Sequence, residues 1–244
     1  ALDAFDQHAT VVRAVEDFSV GISRGEFVAI MGPSGSGKST LLYVVGAMDK
    51  PTGGSLEISG KLLHKMTDTE RSRFRNATLG FVFQSFHLLP RMNLLRNVEL
   101  PMVYSGVLPG LRENRARALL SAVGLSEKAG SLPAELSGGQ CQRAAIVRAL
   151  ANNPCLLLAD EPTGNLDSKT GLEMMSIFQA LNSRGMTILM VTHDETMARH
   201  SSRILRLRDG TLLSDEKVEK PLQTKQPEGI DIPSIIGSPD KIIL

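Results

Sequence analysis

Four short apolar runs stop abruptly at a polar residue or a glycine, and this pattern constrains the fold most. FVAIM (27–31) ends at Gly32, LGFVF (79–83) at Gln84, CLLLA (155–159) at Asp160, and TILMV (187–191) at Thr192. Each run is nearly continuous in apolar side chains, as in a strand buried on both faces of a parallel sheet. Helical patterns separate the runs over residues 39–48, 140–152 and 169–182, the last closed by Gly185. Strands alternating with helices specify an α/β fold. In open sheets of this kind, ligands bind beyond the carboxyl ends of the strands. Those ends carry Gly32, Gln84, Asp160 with Glu161, and His193.

Residues 90–136 break the alternation and read as a mainly helical insertion lobe. NRARALLSAVGL (114–125) is a strongly amphipathic helix, and MNLLRNVELPM (92–102) a weaker one expected to break at Pro101. GGSLEISGK (53–61) and RILRLRDGTLL (203–213) read as antiparallel hairpins, the second with a two-residue Asp209-Gly210 turn. Beyond about Ser214 the composition shifts to Lys, Glu, Pro and Gln. Residues 215–244 are therefore expected as a tail outside a core of residues 1–214, although their isoleucines could dock on it.

The chain has 244 residues, 42% of them hydrophobic, which is enough for one sizeable core, with or without a lobe. A net charge of +1 gives no broad field for nucleic acid or an anionic membrane surface, and no nucleic-acid partner is expected. Cys141 and Cys155 form neither a disulfide framework nor a zinc pattern, which favours a reducing, cytosolic setting. No apolar run approaches the roughly 20 residues of a membrane helix, and no signal peptide opens the chain. Ala1 in place of Met is compatible with a trimmed or processed N-terminus.

Chemistry enters with GPSGSGKST, which matches G-x-x-x-x-G-K-[ST] between an expected strand and an expected helix. Across Gly32, Pro33, Ser34, Gly35, Ser36, Gly37, Lys38, Ser39 and Thr40, backbone N–H groups can curl around phosphate oxygens. The helix N-terminus adds partial positive charge. Lys38 suits the β- and γ-phosphates, and Ser39 suits Mg²⁺. A plain Gly/Ser turn would need neither the lysine nor this context. Asp160 closes a buried strand and is the natural Mg²⁺ partner of such a loop. Glu161 is placed to orient or deprotonate a water attacking the γ-phosphate; the plainer alternative is that one carboxylate caps the turn at Pro162. Gln84 can ligate Mg²⁺ or hold a water, and His193 can hydrogen-bond a γ-phosphate oxygen. Each is weak alone and strengthened by the shared sheet edge.

LSGGQ at 136–140, added in order to GPSGSGKST, Gln84, LLLADEP and His193, resembles the nucleotide-binding subunit of an ATP-binding cassette (ABC) transporter over about residues 1–213. ADEPTGNLD (159–167), FVFQSFHLLP (81–90) and NVELP (97–101) are similar to the lipoprotein-releasing and macrolide-exporting (LolD/MacB-like) group. The resemblance implies a P-loop NTPase (RecA-like) core with an antiparallel β subdomain and a helical lobe of the ABC type. It implies ATP hydrolysis with ATP and Mg²⁺ bound, and head-to-tail pairing with a second, identical subunit. It further implies peripheral attachment at the cytoplasmic face of the inner membrane through a separate permease. Ser137, Gly138, Gly139 and Gln140 match the motif that faces ATP held by the opposite subunit. Asp167 matches the aspartate that communicates across the dimer, and it also suits a helix N-cap. Residues 85–105 resemble the permease contact, and Phe5 falls where relatives stack an aromatic ring on adenine. The motif's helix entrance carries a hydroxyl, glycine amides and a dipole but no lysine. That suits closing over a phosphate already held elsewhere, so the two glycine-rich entrances read as halves of one site from different subunits. Cys141, where relatives have Gln or Glu, and Ala145, where Val is common, depart from the pattern without removing a catalytic group. A soluble ABC protein acting on ribosomes or DNA is the alternative, disfavoured by the single cassette and the lack of heptads or zinc spacing. A small-molecule kinase would not need LSGGQ.

Overall fold

The structure, a computed structural model, describes residues 14–225, 227 and 229–232. Five strands run parallel: β1 (Phe27–Met31), β4 (Leu79–Phe83), β5 (Leu156–Asp160), β6 (Thr187–Val191) and β7 (Arg203–Arg208). An antiparallel edge, β8 (Thr211–Lys217), completes a sheet of order β4-β5-β6-β1-β7-β8. A separate hairpin pairs β2 (Glu57–Ile58) with β3 (Lys61–Leu62). Among the described residues this hairpin and the β7–β8 pair supply the expected antiparallel elements.

Strand side chains alternate between two cores. Phe27, Ala29, Leu157, Ala159, Ile188 and Met190 face one core, and Val28, Ile30, Leu156, Leu158, Leu189 and Val191 face the other. Helices α3 (Leu94–Tyr104), α4 (Pro109–Ala122), α5 (Gly138–Ala149) and α6 (Ser168–Asn182) cover the first face. Helices α1 (Lys38–Val45) and α2 (Asp68–Thr78) cover the second through Leu41, Leu42 and Phe74. Each fully buried Leu, Ile or Phe contributes about 1.5–3 kcal/mol relative to exposure. That is why apolar runs without alternation end up in the middle of this sheet. A last short helix, α7 (Glu195–Ala198), follows β6.

Helix α3 does not break at Pro101 but runs through it to Tyr104. Proline removes one intrahelical bond, yet this turn is held from outside. The Asn152 amide donates to the Pro101 carbonyl at 3.1 Å, and the Asn76 amide donates to Ser105 Oγ at 2.8 Å. Buried Val98 and Met102 anchor the same face. Helix α4 begins at Pro109, five residues before the expected start, because proline suits the first helical position.

The segment after Ser214 is not wholly outside the core, contrary to expectation. Strand β8 continues to Lys217. Further on, Gln179 of α6 donates to the Leu222 carbonyl at 2.6 Å and accepts from Thr224 N at 3.1 Å. Asp231 N then donates to Ala122 O at the end of α4 at 2.7 Å, and Ile232 is 0% exposed within the first core. Apolar burial outweighs the polar composition of the surrounding segment.

Candidate functional site

Beyond the carboxyl ends of the parallel strands lies a cavity of about 870 Å³. Its lining includes Ser34, Gly35, Gly37, Lys38, Ser39, Thr40, Gln84, Glu161 and His193. The loop after β1 curls because Gly35 and Gly37 adopt φ of +80° and +91°. A Cβ on Gly37 would stand 1.9 Å from the Ala14 carbonyl oxygen, so the preceding segment crosses the loop where only glycine fits. Lys38 is buried, and its ammonium donates to the Gly32 and Pro33 carbonyls at 2.7 and 2.8 Å. Among the described residues, buried Ser36 Oγ has no hydrogen-bond partner. A loop whose lysine bonds its own carbonyls suits an anion able to take those bonds over.

The strand ends complete the edge. Ser39 Oγ donates to Asp160 Oδ1 at 3.3 Å. Burial pushes the Asp160 carboxyl above its ordinary range, while hydrogen bonds from Tyr43 and Ser39 and the Lys38 charge pull the other way. Ser39 hydroxyl, Asp160 carboxylate and Gln84 amide oxygen form a hard, all-oxygen donor set, which fits Mg²⁺ shared with phosphate oxygens. Glu161 adopts φ +48°, a left-handed conformation costing about 1–2 kcal/mol in a non-glycine residue. Glu161 N still bonds Val191 O at 2.9 Å, and Gly164 N closes the following turn on Glu161 O at 3.0 Å. The kink directs the Glu161 carboxylate to His193 Nδ1, 2.7 Å from Oε2 and 2.9 Å from Oε1.

The second glycine-rich entrance lies elsewhere: none of Ser137, Gly138, Gly139, Gln140 or Asp167 lines the cavity. Ser137 and Gln140 form a capping box that starts α5 at Gly138, two residues ahead of the expected start. Gln140 N donates to Ser137 Oγ at 3.3 Å and Ser137 N to Gln140 Oε1 at 3.0 Å. The two glycines divide the work: Gly138 is exposed, whereas Gly139 is buried. A Cβ on Gly139 would stand 2.6 Å from Thr170 Cγ2 of α6. Asp167 caps α6 through Thr170 N at 3.0 Å and Thr170 Oγ1 at 2.6 Å, bonds that hold its carboxyl below the ordinary range. Cys141 is buried, and its thiol, pushed up by burial, lies 3.5 Å from the Pro133 carbonyl. Phe5 lies outside the described residues.

Several residues at the site escaped sequence reasoning. Ala14, Asp209 and Gly210 also line the cavity. Asp209-Gly210 was legible as a turn, but a turn signal does not say which edge it overhangs. Arg148 of α5 donates to the carbonyls of Phe86 and His87 at 2.9 and 2.5 Å. Those two residues carry φ of +58° and +49°, so Arg148 clamps a strained bend just after Gln84. Buried Gln142 donates to Pro162 O and Phe83 O, tying α5 to the ends of both β4 and β5. Among the described residues no helix is long and apolar enough to cross a membrane.

Known proteins share this arrangement. Residues 15–164 match the family described as ABC transporter. An uncharacterized ABC transporter ATP-binding protein of Thermotoga maritima is 48% identical over 213 residues, covering 87% of this chain and 91% of that one. The macrolide export ATP-binding/permease protein MacB of Bdellovibrio bacteriovorus is 47% identical over 210 residues, 86% of this chain but only 32% of the relative's length. Among solved structures, the ATP-binding cassette MJ0796, in a dimeric post-hydrolysis state bound to ADP and phosphate, superposes with a TM-score of 0.81 at 42% identity. That match covers 88% of this chain and 95% of the other. The cassette fold, the loop with its lysine and the breadth of these matches lead to one assignment: the chain belongs to the ABC transporter family, as an ATP-binding domain.

Proposed function

We propose that this chain is the ATP-hydrolysing subunit of a transporter, pairing head to tail with a second copy around two ATP molecules and driving a separate membrane permease. The observation that carries the reading is the convergence of Lys38, Ser39, Gln84, Glu161 and His193 on one cavity. The loop amides and Lys38 bind the β- and γ-phosphates, the lysine exchanging its two carbonyl bonds for phosphate oxygens. Ser39, Asp160 and Gln84 would hold Mg²⁺, which supplies charge neutralisation on the phosphate oxygens. Glu161 takes a proton from the attacking water. His193 holds that carboxylate through Nδ1–H, and a ring that carries a proton on Nε2 as well would donate it to a γ-phosphate oxygen. Ser137, Gly138, Gly139 and Gln140 lie away from this cavity and serve the partner's nucleotide, with Asp167 at the junction.

The permease contact is placed on residues 85–105, where Leu89, Met92, Val103 and Tyr104 are exposed. Attachment there would hold the subunit at the cytoplasmic face of the membrane without crossing it. A permease of the macrolide-export type is supported by relatives named as export ATP-binding/permease proteins, and the lipoprotein-release type by the resemblance of residues 81–90, 97–101 and 159–167 alone. Glu161→Gln tests the chemistry. It keeps the shape and removes the base, so ATP turnover falls about 100- to 10,000-fold, equivalent to about 3–5 kcal/mol, while ATP binding persists. Turnover within a few-fold of the parent would refute the assignment of Glu161.

A further inference from the structure

Gln84 and Asn165 exchange two hydrogen bonds between the end of β4 and the turn after β5. Gln84 Nε2 donates to Asn165 Oδ1, and Asn165 Nδ2 donates to the Gln84 main-chain carbonyl, both at 3.1 Å. The two ends of a side-chain amide have nearly the same shape, so their partners decide which end points where. Here one partner leaves no choice. A main-chain carbonyl only accepts, so the end of Asn165 facing it is the NH2 end. Asn165 therefore shows its oxygen to Gln84, and Gln84 must meet that oxygen with its own NH2. The end of the Gln84 amide not held by Asn165 is its carbonyl oxygen Oε1, and Gln84 lines the cavity. Gly164 makes room for this arrangement: a Cβ there would stand 2.7 Å from Gln84 Nε2 and 3.0 Å from Gln84 Cδ.

We infer that Asn165 is a positioning residue that fixes the Gln84 amide with Oε1 toward a divalent cation bound with the nucleotide. A reversed amide would point NH2 at that cation, offering a donor where hard oxygen ligands are required. Asn165 and Gly164 do not line the cavity, and both touch Gln84, which does. This role rests on the proposed reading of the cavity as a metal–nucleotide site.

The test measures Mn²⁺ affinity in the presence of ATP by paramagnetic resonance. It uses the full chain in a Glu161→Gln background, so that binding is read without turnover. Asn165→Leu can neither donate nor accept. Gly164→Ala leaves Asn165 intact and displaces only the flexible end of Gln84. Both should weaken Mn²⁺ about 10-fold or more, as loss of a ligand-orienting partner does, with metal-free ATP binding and melting temperature unchanged. Asn165→Asp keeps the acceptor for Gln84 Nε2 but loses the donor to the Gln84 main-chain carbonyl, so it should weaken Mn²⁺ clearly less than Leu does. Equal weakening by Leu and Asp, no weakening by Leu or Ala, or a parallel loss of fold and metal-free ATP binding each overturns the positioning role. Lys38→Ala separates this from the underlying site: if it still binds Mn²⁺ and ATP normally, the nucleotide site itself is misplaced.

Discussion

Gly139→Ala is the sharpest probe of why the second helix entrance needs two adjacent glycines. On propensity alone, alanine early in α5 would stabilise by up to about 0.5–1 kcal/mol. The structure reverses that sign. The new methyl would stand 2.6 Å from Thr170 Cγ2, and Thr170 cannot rotate freely, because its hydroxyl and amide both bond Asp167. Overpacking of this kind costs about 1–3 kcal/mol, and losing the Thr170 hydroxyl bond adds about 0.5–1.5 kcal/mol. The net destabilisation is about 0.5–4 kcal/mol, a fall in melting temperature of about 1–16 °C for a chain of this size. Urea unfolding of the ligand-free protein measures it, paired with a rescue. Thr170→Ser removes the clashing methyl and keeps the hydroxyl on Asp167, so the double variant should recover most of the loss. A single variant as stable as the parent, or a double variant no better than the single, would refute the close α5–α6 approach as the reason for Gly139.

Three further outcomes follow from the same geometry. Gly138→Asp should fold, since a Cβ there meets Leu166 and Phe86 only at 3.4 and 3.6 Å. An added carboxylate about 4 Å from a phosphate oxygen costs about 4 kcal/mol at an effective dielectric near 20. ATP-driven dimerisation and hydrolysis should therefore drop about 1000-fold while the monomer still binds ATP; loss of nucleotide from the monomer would make the second entrance an ordinary cis site. Asp160 has its folded pKa raised by burial, so the folded state binds more protons than the unfolded just above the ordinary carboxylate range. Its contribution is thus lost as pH rises through the folded value, and at neutral pH the ionised group is a standing cost. Asp160→Asn should melt higher than the parent without ligand and lose that advantage when Mg²⁺ and ATP are added; a lower melting point without ligand counts against the burial account. Ile232→Ala should cost about 2–5 kcal/mol in urea unfolding, and an unchanged midpoint would place the segment outside the core.

Four of the five parallel strands, and the edge they build, were legible because each is an apolar run of five residues whose closing polar residue or glycine marks the site. Strand β7, which carries Arg203, Arg206 and Arg208, read only as one arm of a hairpin. Lys38, Glu161 and His193 inherit their meeting point from strand direction alone. What was not legible depends on contacts between segments distant in sequence. Pro101 reads as a helix breaker until Asn76 and Asn152 are seen holding the turn around it. Arg148 reads as a surface cation on the last turn of a helix until the strained carbonyls of Phe86 and His87 are placed against it. Ile232 sits in a polar segment whose composition outvotes it, although one buried side chain suffices to dock a strand of chain. Asn165 looks like a loop residue between Gly164 and Leu166, and nothing local gives it a partner. Arg148, and Asn165 in the positioning role inferred for it, thus act through another residue rather than on the ligand. Such residues carry no motif of their own chemistry. They become visible only when the carbonyl or amide they restrain is known.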